Sequence, residues 1–155
     1  MITKILIVTK VRIYPTQEQA EFSIAQFGAV RFAYNNTLYL KSYMYRKHGV
    51  TLNKKGHKIT ACRCQEKYHC LKQYDSIALQ QSVINLYQAF DNFFNPKLKA
   101  KCPQFKRRHG KQSSYHCVEV KVLDGAIKLL KLKPIEANIH RAIAGIVKSI
   151  TSEHE

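Results

Sequence analysis

Apolar and polar residues alternate from the start of the chain. In "KILIVTKVRIY", residues 4–14, Ile5, Ile7, Thr9, Val11 and Ile13 share one face, while Lys10, Arg12 and Tyr14 end the other. That period of two predicts a strand with a basic, aromatic rim. Pro15 stops it, and Thr16 with Gln19 forms a capping box for a helix carrying Phe22, Ala25, Ala29 and Phe32 on one stripe. Gly28 is expected to bend or break this helix, which runs on to Arg46, Lys47, His48 and a terminating Gly49. A polar basic loop follows at 51–58. A second helix is expected from Asp75 or Ser76, with Leu79, Val83, Leu86, Phe90 and Phe93 as its packed stripe.

Beyond Pro96 and a basic linker, 97–111, the period returns to two. "VEVKVLDGAIKLLKL" predicts a hairpin turned at Asp124-Gly125, with Val118, Val120 and Val122 facing Ile127 and Leu129. "ANIHRAI" and "GIVKSIT" are expected as two further strands around Gly145. A lone N-terminal strand must pair, and the C-terminal sheet is the partner the sequence offers. The fold class is therefore α+β, a small β-barrel or curled sheet with a helical block inserted after its first strand.

The chain has 155 residues, 45% of them apolar, enough for one buried core. Its 26 Lys and Arg against 10 Asp and Glu give a formal charge of +16, spread over all thirds of the chain. A basic surface can serve solubility alone, but charge this large and distributed suits a polyanion held by several surfaces. Nucleic acid is the expected partner. A membrane is not, because no helix pairs a broad apolar face with a purely cationic one. The run Ile5 to Val8 is too short for a signal-peptide core or a membrane span, so the expected location is the cytoplasm.

The stretch "CPQFKRRHGKQSSYHC", residues 102–117, admits two chemistries. Cys102, His109, His116 and Cys117 carry metal-ligand atoms, yet they lie in a cationic run without a second pair at finger spacing. Lys106, Arg107, Arg108 and Lys111 stand there with Phe105 and Tyr115, and no carboxylate lies between Asp91 and Glu119. Phosphate gripping is the stronger reading, with Phe105 as the anchor. The other cysteines, Cys62, Cys64 and Cys70, lack ribbon spacing, so reduced thiols and no metal or other cofactor are expected. Tyr34, Tyr39, Tyr43 and Tyr45 either stack bases or pack a core. Acids such as Glu18, Glu21, Asp75 and Asp91 sit at helix starts or alone, so no acid–base catalytic set is expected.

Five ordered blocks carry a resemblance: "VRIYPTQEQ" (11–19), "GAVRFAYN" (28–35), "ALQQSVINLYQAFDNFF" (78–94), "PQFKRRHGKQS" (103–113) and "IHRAIAGIVKSIT" (139–151). Together they resemble the N-terminal region of the TnpB (OrfB) proteins of bacterial insertion sequences, known as transposases. The resemblance implies an RNA-guided DNA endonuclease related to type V CRISPR effectors. It implies a β-barrel wedge domain (1–15 and 112–155), an inserted helical recognition domain (16–96) and a basic connector (97–111). In the family these parts hold guide RNA and read a short duplex motif, while cutting belongs to a later RNase H-like domain with three magnesium-binding carboxylates and a zinc ribbon. That later domain is expected to be missing, since the chain stops about where its first catalytic strand would begin.

The family pattern makes Gln80 a candidate base reader and places Arg12 and Tyr14 beside nucleic acid; Gln80 as a solvated helix position and Tyr14 as a strand-to-helix corner are the bland alternatives. Arg31 and Asn35 are contacts or packing residues. The candidate nucleic-acid set is Lys10, Arg12, Tyr14, Gln80, Lys106, Arg107, Arg108, Lys111 and Arg141. The sequence departs from the family at "LKLK" (130–133), at Asn138 where Arg is common, and at Ile146 where Lys is common. The expected function is binding of RNA and DNA without cleavage. Two alternatives are half of an endonuclease completed by a full-length relative or a separate nuclease chain, and a nuclease-free DNA-binding regulator.

Overall fold

The computed structural model describes residues 7–52, 66–108, 113–143 and 145–154. Strand β1 (Arg12–Tyr14) precedes helix α1 (Gln17–His48), a 3-10 helix (His69–Gln73) and helix α2 (Ser76–Phe94). Strands β2 (Ser113–Cys117), β3 (Lys121–Leu123), β4 (Ala126–Lys128), β5 (Ile135–Asn138) and β6 (Ile150–His154) follow. They form a four-stranded antiparallel sheet, β1-β5-β4-β3, and a separate pair, β2-β6. Neither sheet closes on itself among the described residues.

The N-terminal strand pairs with the C-terminal sheet, in the register Arg12↔Asn138, Ile13↔Ala137 and Tyr14↔Glu136. It is much shorter than the alternation suggests. Among the described residues the ladder ends at the Arg12↔Asn138 pair, where β5 ends, and Ile7 and Val8 are 78% and 96% exposed rather than buried. Residues 1–6 lie outside the described residues.

Helix α1 starts at the expected capping box. The Thr16 hydroxyl accepts from the Gln19 N–H at 3.4 Å, and the Thr16 N–H donates to Gln19 Oε1 at 3.0 Å. Gln19 Nε2 also reaches the Lys133 and Pro134 carbonyls, tying the helix start to the β4–β5 connection. The helix stops at Gly49, whose positive φ of 64° lets the Val50 N–H reach back to the Met44 carbonyl at 3.3 Å.

Gly28 neither breaks nor ends α1, which is continuous for 32 residues. A single interior glycine costs about 1 kcal/mol of helix propensity, and packing against α2 and β2 outweighs that. The buried stripe is also rotated from expectation. Gln26, Phe27, Ala29, Val30, Ala33, Tyr34, Thr37, Leu38 and Lys41 face inward. Of the expected stripe only Ala29 is buried; Phe22 is half-buried against Tyr74, and Phe32 is 38% exposed with its edge on Tyr68.

Helix α2 begins at Asp75, whose carboxylate accepts from the Ile77 and Ala78 N–H groups at 2.8 and 3.4 Å. The Asp75 N–H in turn donates to Gln26 Oε1 at 3.0 Å, linking the two helices through buried polar groups. Ala78, Leu79, Ser82, Val83, Leu86 and Tyr87 are buried, as the stripe predicts, while Phe93 at its far end is 38% exposed. The expected loop 51–58 falls largely outside the described residues, as do Cys62 and Cys64.

The hairpin turns at Asp124-Gly125 with Val122 opposite Ile127, as expected, but Val118 is 44% exposed and takes no part. The last two strands lie at 135–138 and 150–154 instead of 137–143 and 145–151. β6 pairs with β2, Cys117 opposite Ile150, so the chain must cross from one sheet to the other through 139–149 instead of extending both strands around Gly145.

Helices and sheets share one hydrophobic cluster. Phe27, Val30, Ala33, Leu79, Val83 and Tyr87 of the helices pack with Tyr115, Cys117, Ile127, Leu129, Ile135 and Ala137. Phe27 and Tyr115 meet edge to face at 5.1 Å. Burial pushes the Cys117 thiol up to about 12, with the Asp75 charge adding to it, and burial likewise pushes the Tyr115 phenol up to about 12.

Candidate nucleic-acid interface

The basic connector is pinned to α1. After α2 the Asn95 side chain accepts from the Lys97 N–H at 3.0 Å, turning the chain, and residues 97–108 continue without helix or strand. Asn35 then takes hold of it. The Asn35 Nδ2 donates to the Lys106 carbonyl at 2.9 Å, and the Lys106 N–H donates to Asn35 Oδ1 at 2.8 Å. This two-point pairing mimics a rung of a β-ladder and fixes the connector's position along the helix.

The pinning sorts the predicted phosphate-gripping residues. The Lys106 ammonium sits over the Tyr34 ring, 4.6 Å from its centre, and desolvation lowers its pKa although the stem remains open to solvent. Arg107 and Arg108 are exposed immediately beyond it. Lys97, Lys99 and Lys101 are exposed upstream. Lys111 and His109 lie outside the described residues. Phe105 is 56% exposed, so Asn35 anchors the connector and Phe105 does not.

The second basic surface is the outer face of the four-stranded sheet. Arg12 and Tyr14 lie opposite Asn138 and Glu136, and Lys121 lies opposite Lys128 on the neighbouring hairpin. All six are exposed, while Ile13, Ile127, Ile135 and Ala137 turn inward. Lys10 is exposed just before β1 and Arg141 just after β5. Tyr14, 49% exposed and opposite Glu136, is a face residue of the sheet as well as its last strand position before Pro15. Gln80 is half-buried in the second turn of α2, beside buried Leu79.

The tyrosines divide. Tyr34 is buried with Leu38 and Leu86, whereas Tyr39, Tyr43 and Tyr45 are exposed. Lys41, which the sequence did not single out, is buried between the helices. Its ammonium donates to the Leu52 carbonyl at 2.7 Å and lies 5.0 Å from the Phe90 ring centre and 5.2 Å from that of Tyr87. Burial lowers its pKa, with Asp91 opposing the shift. Lys131, in the segment that departs from the family pattern, adopts a positive φ of 63° and donates to the Lys72 and Tyr74 carbonyls at 2.9 and 2.7 Å. It closes the 3-10 helix and is a structural cation.

The described ligand residues of 102–117, Cys102, His116 and Cys117, do not group at metal-binding distances, and His109 lies outside the described residues. Cys117 is in the core with its proton held, Cys102 is exposed, and His116 Nδ1 is 3.2 Å from the Thr151 hydroxyl. Among the described residues no three His, Cys, Asp or Glu side chains group at metal-binding distances, and no described helix is long and apolar enough to cross a membrane.

Residues 1–49 match a family of helix-turn-helix domains of the OrfB IS605 type. In this chain the described part of that segment is β1 and one uninterrupted helix. Over 112 residues the chain is 54% identical to the "Virulence protein VsdF" of Salmonella dublin, an alignment covering 66% of this chain and 94% of that protein. Over 107 residues it is 32% identical to a "Putative RNA-guided DNA endonuclease" of Streptomyces pristinaespiralis, covering 68% of this chain and 26% of the relative. The chain thus spans about a quarter of the Streptomyces relative and nearly all of the Salmonella protein. With the matched N-terminal domain, these relatives and the ordered sequence blocks in agreement, the chain belongs to the OrfB/TnpB family and carries its N-terminal region.

Proposed function

We propose that the chain is a nucleic-acid-binding part of a TnpB-like, transposase-related protein, that it holds RNA and DNA, and that it does not cut either by itself. The observation that carries this reading is the pinned connector: Asn35 fixes the backbone at Lys106, and Arg107 and Arg108 are thereby presented to solvent at a defined place. Paired cations on an anchored segment neutralise successive phosphates and release counterions without tertiary rearrangement. The name of the Streptomyces relative supports RNA and DNA as partners. In this reading α1 and α2 form the recognition block and the two sheets the wedge against which nucleic acid lies, with Gln80 as the base reader and Arg12 and Tyr14 beside the nucleic acid.

Two of the acids serve the helices. Asp75 caps α2, and Glu21 accepts from Gln17 Nε2 at 3.1 Å on an exposed turn of α1. The test is to express the gene with its genomic flanks, purify the protein and sequence the nucleic acid that accompanies it. One defined RNA supports guide binding. A random mixture of host sequences means non-specific adhesion and removes the guided reading.

A further inference from the structure

The second half of α1 carries a feature that phosphate gripping leaves unused. Tyr39 and Tyr43, one turn apart, stand nearly parallel, with ring centres 6.0 Å apart and planes at 23°. Across from them the connector brings Phe105. These rings, with Ser42, Arg46 and Lys47, line an open groove of about 440 Å³. The same helix buries Tyr34 to 7% exposure but leaves Tyr39 at 59%, and Phe105 is 56% exposed, so these rings are not core residues that merely reach the surface. The Lys47 ammonium lies 5.5 Å from the Tyr43 ring centre. No acid lines the groove.

We propose that this groove takes an unpaired nucleotide of a single strand, its base stacked on the Tyr39–Tyr43 platform or on Phe105 and its phosphates met by Arg46 and Lys47. Three features select that ligand. Flat aromatic faces match flat bases regardless of sequence, and each such stack strengthens binding substantially. A duplex hides its base faces, so rings would gain nothing from it. Two cations without a nearby carboxylate favour a polyanion over an apolar peptide. The open side of the groove suits a passing strand more than an enclosed small molecule. Sequence periodicity could not assign the groove, because Phe105 lies more than sixty positions from Tyr39 and is brought there by the Asn35–Lys106 pairing.

This inference rests on the nucleic-acid reading above, and the test separates the two. Fluorescence anisotropy would compare oligouridine, oligothymidine and an abasic deoxyribose-phosphate strand of equal length, binding to the full chain. The wild-type protein is expected to hold the base-bearing strands roughly tenfold or more tighter than the abasic one. Tyr39→Ala with Phe105→Ala should abolish that preference and leave the salt slope and the melting transition in place, since both rings are largely exposed. Tyr39→Phe alone, which keeps the ring, should retain it. Tighter binding of uridine or thymidine strands identifies RNA or DNA as the source, and either supports the groove. Equal affinity for abasic and base-bearing strands, with salt-dependent binding intact, overturns the groove and leaves the broader reading standing. Absence of binding to any strand or duplex overturns both.

Discussion

The Asn35 side chain and the Lys106 backbone form a complete amide pair, with one hydrogen bond in each direction at 2.9 and 2.8 Å. They are 71 residues apart in sequence. The pair links the helical block to the chain entering the sheets, and the exposed arginines and the aromatic groove both depend on where it places the connector.

Asn35→Ala removes both bonds and leaves the Lys106 amide to water. At about 1 kcal/mol net or less for each bond at an exposed site, a loss of roughly 1–2 kcal/mol is expected in urea unfolding. Asn35→Asp keeps an acceptor for the Lys106 N–H but offers no donor to its carbonyl, so its loss should be intermediate or, if the carbonyl meets the new charge, equal. A full-strength fold in Asn35→Ala would show that the connector is held elsewhere.

The three cations of "KRR" should not behave alike. Arg107→Ala with Arg108→Ala is expected to weaken binding of unrelated nucleic acids to a similar extent and to reduce the salt slope by up to about 2, one for each phosphate released. The melting transition should stay. Lys106→Ala, in contrast, removes the ammonium over Tyr34 and should lower stability by about 0.5–2 kcal/mol with little change in slope. An unchanged slope in the double variant would remove the phosphate contacts from the proposal.

Much of this arrangement is visible in local signals and the rest is not. Thr16-Gln19, Asp75, Gly49 and Asp124-Gly125 are punctuation that works within a few residues, and each lies where the sequence places it. The buried face of α1 is another matter. Gln26, Thr37 and Lys41 are inside with polar partners that hydrophobicity does not register: Gln26 Oε1 accepts from the Asp75 N–H while its Nε2 has no hydrogen-bond partner among the described residues, the Thr37 hydroxyl donates to the Ala33 carbonyl one turn back, and the Lys41 ammonium donates to the Leu52 carbonyl. Hydrophobic periodicity counts such residues as outward and so rotates the stripe. The sheet register fails for a similar reason. Ile139 and Ile150 are both apolar, but the crossing from β5 to β6 is fixed by which strand each can reach. For the candidate site, the sequence marks the basic connector, and only the fold shows that the Lys106 ammonium lies over the Tyr34 ring.

Alkaline pH should unfold the protein earlier than its charge alone would suggest. Cys117 and Tyr115 have folded-state values raised to about 12, from ordinary values of 9.0 and 10.0, and burial raises Tyr34 and Tyr87 too. A raised value means that the fold holds the proton more tightly than the unfolded chain does. Their contribution is therefore complete below about pH 9 and is lost as pH rises toward 12, with a slope approaching 1.4 kcal/mol per pH unit for each group titrating. Lys41 and Lys106 act the other way, since burial lowers their values and the fold gains as they lose their protons. The thiol and Tyr115 shifts are the large ones and should dominate. Urea midpoints measured from neutral to alkaline pH should fall across that window, and Cys117→Ala, although less stable at neutral pH, should fall less steeply.

Gly28 offers a test in the stabilising direction. It lies inside α1 with ordinary helical backbone, and a Cβ built on it would meet only the Arg31 guanidinium, at 3.8 Å, an ordinary contact with a flexible side chain. Neither a turn nor tight packing therefore requires glycine here. Gly28→Ala should raise stability by about 0.5–1 kcal/mol, because alanine loses less backbone freedom on entering a helix. That gain separates two roles for the residue. If Gly28 has no contact with nucleic acid, the variant should bind as tightly as the wild type with a higher melting temperature. If the backbone of α1 is approached closely at this point by RNA or DNA, the added methyl should weaken binding while the melting temperature still rises. A lower melting temperature would contradict the open surroundings of Gly28 and require a bend in the helix under working conditions, which is what the glycine in "GAVRFAYN" suggests when the sequence is considered alone.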